Sequence, residues 1–262
     1  MAPNGTPSHD GVHDRPDTQG HPGPPPLPGF PETPPPLLSS PVPARAVVPP
    51  VRRPLAAAYR LLLALTATAA VTTQVLLGSP ARVLSHFTIQ STILLALVTL
   101  VSARRAWTPR HPLPATLTGA ALLYVTTAAL VHHVLLSDAA PRFSITGEAS
   151  PWPATLTAHL LHTVIPVAAL LDWLLLSPQA RTHLRQTAAW LLYPLAYLLF
   201  SLARGELLTG SPDRYLYPFL DVTHHGYRSV LANALLLGLS FYAVAVLLVA
   251  LDHTRPKPAR RR

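Results

Sequence analysis

Six separated apolar stretches constrain this chain more than anything else in it. They run over residues 55–77, 84–103, 113–136, 154–176, 187–203 and 229–251. A helix needs about 20 residues to cross the hydrocarbon core of a bilayer, and five of the six reach or pass that length. The fifth stretch is the shortest, with 17 residues and an internal proline. The connecting segments hold loop punctuation such as Gly78-Ser79-Pro80, Thr108-Pro109 and Gly210-Ser211-Pro212. Only 12% of the residues are charged, against about 25% in a soluble domain. The expected fold is all-α: a polytopic membrane protein, a six-helix transmembrane bundle over residues 54–252.

The flanks differ in kind. Residues 1–53 hold most of the chain's prolines, including Pro24-Pro25-Pro26 and Pro34-Pro35-Pro36, and little apolar mass. They read as a disordered proline-rich tail. They contain no apolar core of signal-peptide length, so the first span is expected to direct insertion. Residues 253–262 form a short basic tail. The excess of basic over acidic residues does not point to nucleic acid, because the arginines lie between the apolar stretches and at the end. Their distribution sets an orientation instead. With both termini cytoplasmic, thirteen Lys and Arg residues near the span ends fall inside and five outside. The expected location is the plasma membrane, with membrane lipids as partners. There are no cysteines, which removes disulfides and thiolate chemistry.

Ionisable groups within hydrocarbon are costly and need partners. Arg60 and Asp172 lie at similar depths near the inner ends of spans 1 and 4, and are expected to pair or to snorkel. In this topology the outer ends gather Thr88, His132, His133, His159, His162, Asp221, His224 and His225, which predicts a polar pocket. His159 and His162 are three residues apart, the spacing of one helical face. Pro166 follows His162 by four and so removes the hydrogen bond to its carbonyl, kinking the helix there. Pro194 does the same to Trp190. Each group also has a structural reading: interhelical hydrogen bonding for the histidines, and a wet loop for Asp221, His224 and His225.

At His162-Thr163-Val164-Ile165-Pro166 and Tyr217-Pro218-Phe219-Leu220-Asp221 the chain resembles the androgen-induced and androgen-dependent six-span membrane hydrolases. It looks closer still to their bacterial six-span relatives. The resemblance covers roughly residues 55–252 with similar segment order. It implies hydrolysis of lipid esters, in the animal members fatty acid esters of hydroxy fatty acids, by a threonine early in span 2 and a histidine in span 4. Those positions are Thr88 and His162, with Ser91 and Thr92 as fallback nucleophiles. A threonine hydroxyl needs a base to become nucleophilic, and histidine suits that task. Asp172 is too far along the same helix to orient His162, whereas His159 or Asp221 could do so. No metal or other cofactor is expected in this reading. The alternatives are a non-enzymatic transporter-like or scaffold protein, or a protein in which histidines ligate a metal or haem.

Overall fold

The computed structural model describes residues 51–136, 152–179, 183–211 and 214–255. Nearly all of the proline-rich segment, and the tail beyond residue 255, lie outside the described residues. What is described is helical, with no strand among the described residues. Helix α1 spans Pro54–Leu77, α2 is the short Pro80–Ser85, and α3 spans Phe87–Trp107. Next come α4 over Ala115–Leu136, α5 over Trp152–Leu176, α6 over Leu184–Trp190, α7 over Leu192–Leu207 and α8 over Val222–Thr254.

Six helical segments are long and apolar enough to cross a membrane, with α6 and α7 together supplying the fifth over Thr187–Leu207. This is the mark of a multi-pass membrane protein. Their outward faces carry exposed leucines such as Leu62, Leu76, Leu199 and Leu235. That pattern would be untenable in water but is ordinary against lipid.

The core is built on close approach of small residues. Ala57, Ala64, Ala67 and Ala70 are buried along one face of α1, and this face packs lengthwise on α3. Small side chains let transmembrane helices approach closely enough for dispersion to hold them. The same face carries Arg60 toward one end and Gln74 toward the other. Helix α3 packs in turn on α4, and α8 leans on α4 and α6. Gly119 of α4 lies under the Trp190 ring, where a Cβ would stand 2.6 Å from a ring carbon, so only glycine admits α6 at this distance.

Both prolines lie beside departures from regular α-helix. Pro166 follows a π-helical turn at Leu160–Val164. Pro194 lies just past the interruption at Leu191 between α6 and α7. Each freed carbonyl has found a side-chain donor on α4. His133 Nε2 donates to the His162 carbonyl at 3.2 Å, and the Tyr124 hydroxyl donates to the Trp190 carbonyl at 2.9 Å. One helix therefore supplies the donors at both sites.

Arg60 and Asp172 pair, with Nε to Oδ1 at 2.8 Å. Arg60 also donates to Ser177 Oγ at 3.0 Å. Arg255, at the end of α8, donates to the Ser177 carbonyl and lies over the Trp173 ring, and it pairs with Asp252. Gln179 reaches the Asp252 carbonyl at 2.8 Å. Three spans are thus tied at this end of the bundle.

Helix starts differ from the expected ones in two places. The second apolar stretch divides at His86, which separates α2 from α3. The sixth span begins at Val222 rather than 229, and is interrupted at Gly226 by a backbone turn with φ of 71°, a region that favours glycine.

Candidate functional site

The corner between α2 and α3 is held from several directions. The Tyr197 hydroxyl donates to the Ser85 carbonyl at 2.9 Å. The Tyr193 hydroxyl donates to Gln90 Oε1 at 2.8 Å, and Gln90 Nε2 donates to the Leu84 carbonyl at 3.0 Å. The Phe87 amide, an unpaired first-turn donor of α3, donates to the Tyr217 hydroxyl oxygen at 3.2 Å. Tyr217 is buried just before α8, stacked on Phe219 and edge-on to His86. Burial pushes its phenol above the usual tyrosine range, so it remains a protonated donor. Its hydroxyl sits against the Thr88 side chain.

These constraints deliver Thr88 and His86 to a cavity of about 870 Å³. Its polar residues are Gln74, His86, Thr88, His132, Thr155 and His162 with the tyrosines Tyr197 and Tyr217, and its remaining lining is mostly apolar side chains of α7 and α8. Gln74, His86, Thr88 and His162 are all buried.

His162 has a defined tautomer. Its Nδ1 lies 2.9 Å from the Ala158 carbonyl. A carbonyl only accepts, so Nδ1 carries the proton and Nε2 of the neutral ring keeps its lone pair. The ring is stacked face to face on His132, with centroids 3.7 Å apart. Neither His159 nor Asp221 orients it. His159 is exposed, because the π turn after it advances each residue less around the axis than an α turn and separates the two rings. Asp221 caps α8, accepting from the Thr223 amide at 3.0 Å and from the Thr223 hydroxyl. The backbone carbonyl of Ala158 does the orienting that the sequence reading sought in a side chain.

Thr88 and His162 meet at one cavity without a direct hydrogen bond between them among the described residues. Counted from the observed starts, Thr88 is second in α3 and His162 eleventh in α5, about 14 Å apart in helical rise. The starts are not level, however. Gln74, near the end of α1, donates to Thr157 Oγ1 at 2.8 Å, so α5 begins about 3 Å beyond the end of α1. Ser91 and Thr92 both donate to the Thr88 carbonyl, at 3.0 and 2.7 Å, which occupies their protons within α3. His224 and His225 are exposed and do not join the cavity.

Sequence reasoning missed His86. It is 2% exposed, its Nδ1 donates to the Arg82 carbonyl at 2.9 Å, and its Nε2 has no hydrogen-bond partner. Burial holds its pKa down at about 4, so the ring is neutral and Nε2 is a bare acceptor. Gln74 Oε1 is likewise buried and unpartnered. Among the described residues no group of three or more His, Cys, Asp or Glu side chains is arranged to hold a metal ion.

No known protein family, curated protein or solved structure matches the chain.

Proposed function

We propose that the protein is an intramembrane ester hydrolase of the threonine type, acting on a lipid ester that reaches the cavity from the bilayer. The observation that carries this reading is the shared cavity: Thr88 and His162, whose Nε2 keeps a lone pair, line one largely apolar space. The two sequence strings that resemble the six-span hydrolases also converge there, through His162 and through Tyr217, Phe219 and Leu220, which supports kinship with that family. In the proposed orientation both termini are cytoplasmic and the cavity lies toward the outer leaflet of the plasma membrane.

In the mechanism His162 Nε2 takes the Thr88 proton, directly or through one water, as Thr88 Oγ1 attacks the ester carbonyl carbon. The carbonyl π electrons move to oxygen. Tyr217 already accepts from the Phe87 amide, so its own proton is available to Thr88 or to this oxyanion. Collapse breaks the bond to the alcohol oxygen, which leaves with the proton from the His162 imidazolium. Water then attacks the acyl-threonine, giving its proton to His162, and release of the acid restores Thr88. His132 and the Ala158 carbonyl hold the imidazole ring in place throughout.

The test is hydrolysis of a long-chain ester by the protein purified in detergent. Thr88→Ala and His162→Ala should each lower kcat/KM by at least about a thousandfold. Activity surviving in both variants would refute the assignment.

A further inference from the structure

The cavity is walled unevenly. Thr88 and His162 are buried, and of its polar residues only Thr155 is exposed. Its apolar side is different. Leu192 and Leu195 of α7, with Leu231, Leu235 and Leu239 of α8, line the cavity, yet each is more than half exposed. Side chains that line a cavity and also face outward mark where it opens. The three α8 leucines recur every four residues and so share one helix face, with Gly238 beside them. A Cβ at Gly119 or Gly205 would run into a packed aromatic ring. One at Gly238 would meet nothing within 4 Å among the described residues. This glycine therefore borders open space and not a close helix contact. Leu192 and Leu195 lie about 18–22 Å in from the end of α7. In a hydrocarbon layer about 30 Å thick, the opening is at mid-membrane depth.

The opening is bounded at both ends. At the start of α8 the Tyr227 hydroxyl donates to Glu206 Oε1 of α7 at 2.6 Å, and Arg214 pairs with the same carboxylate at 3.5 Å. Toward the other end α6, which leads into α7, packs on α8. The two walls thus meet above and below and part between. A transmembrane helix, from a second copy or from elsewhere in this chain, needs a slot about 10 Å wide along its whole length. An acyl chain needs only a window, and acyl chains are what surround a protein at this depth. We propose that the opening is a lateral portal that admits one acyl chain of a bilayer lipid between α7 and α8. Inside, the chain runs past Leu198 to Phe241, whose ring stands against Phe87, the neighbour of Thr88. The cavity's volume, about 870 Å³, falls within the ~300–1,000 Å³ range of sites that enclose one small ligand. Entry of the chain depends on no polar contact in the cavity, and it stands whether or not Thr88 cleaves an ester.

The probe is a phosphatidylcholine with a diazirine partway along one acyl chain, mixed into nanodiscs that each hold one copy of the full chain. Peptide mass spectrometry after illumination maps where the lipid attaches. Leu236 is exposed and does not line the cavity, so bulk lipid labels it in any case. Phe241 is buried and lines the cavity, so a chain reaches it only from within. Label is expected on Phe241 and Leu198 as well as on Leu236. Gly238→Trp puts a ring into the opening, and should remove the label from Phe241 and Leu198 while keeping it on Leu236. Thr88→Ala should label as the unaltered protein does, which separates the portal from hydrolysis. Label confined to Leu236 and other outward residues of the unaltered protein would mean that another part of the chain covers the opening, and would overturn the proposal. Label on Phe241 that survives Gly238→Trp would overturn it as well, because the route would then lie elsewhere. The pattern on the unaltered protein decides the matter even where the variant fails to fold.

Discussion

The two ends of α1 invite comparison, because one helix face carries a polar residue to each. At the Arg60 end every principal group is answered. Asp172 and Ser177 take the guanidinium, and Arg255 with Asp252 and Gln179 extends the network to α8. At the Gln74 end the network stops short: Gln74 Oε1 and His86 Nε2 have no partner, and a cavity opens beside them. Burial alone does not separate the two, since Arg60 and Gln74 are both buried. The difference is satisfaction. A closed polar network fastens helices, whereas the open one leaves buried acceptors unanswered.

The largest effect that sharpens this contrast lies at the closed end. Asp172→Ala leaves a buried guanidinium without its carboxylate and should cost about 3–5 kcal/mol of stability. Replacing both partners with apolar residues of similar size should cost far less. Chemical unfolding in detergent measures both. Hydrolysis per folded molecule should be unaltered in either, because neither residue lines the cavity. A loss of turnover without loss of fold would break the division between the ends.

At the open end the acid response should identify His86. Its folded pKa, about 4, lies below the ordinary histidine value of 6.5. The folded state therefore binds fewer protons than the unfolded state between those values. The contribution is fully present above pH 6.5 and is lost as pH falls toward 4, up to roughly 3 kcal/mol. His86→Phe should flatten thermal stability across this window, which unfolding at a series of pH values would show. An unchanged acid slope would mean that His86 is not the buried neutral group.

The smallest effects concern the freed carbonyls beside the two prolines. Tyr124→Phe removes the donor to the Trp190 carbonyl and should cost about 1–3 kcal/mol. His133→Leu, at an exposed side chain, should cost less, about 1 kcal/mol. It should also lower turnover more than Tyr124→Phe, since it frees the turn that carries His162. Unfolding and hydrolysis measured together on both variants test that ordering.

The sequence made the six crossings legible because hydropathy over about 20 residues survives any rotation of the helices. The Arg60–Asp172 pair was legible from depth alone. The freed carbonyls of His162 and Trp190 followed from proline chemistry, but their donors did not. Tyr124 and His133 reach them only through the rotation of α4, which no local pattern encodes. His159 was expected on the face of His162 and is exposed, because a π turn cannot be read from spacing. Asp221 was expected to assist His162 and instead caps α8. His86 was overlooked because it falls within the apolar stretch 84–103, so the break between α2 and α3 resembles part of a span. The Ser79-Pro80 helix start, seven residues ahead of Phe87, was the available signal.

The most direct test of the proposed site is where a long-chain fluorophosphonate attaches. Its phosphorus is attacked by an activated hydroxyl, which makes a stable adduct at the nucleophile. Peptide mass spectrometry of the labelled protein should place that adduct on Thr88 and should find none when His162 is replaced by alanine. An adduct on any other residue, or one on Thr88 that forms equally well without His162, would contradict the account.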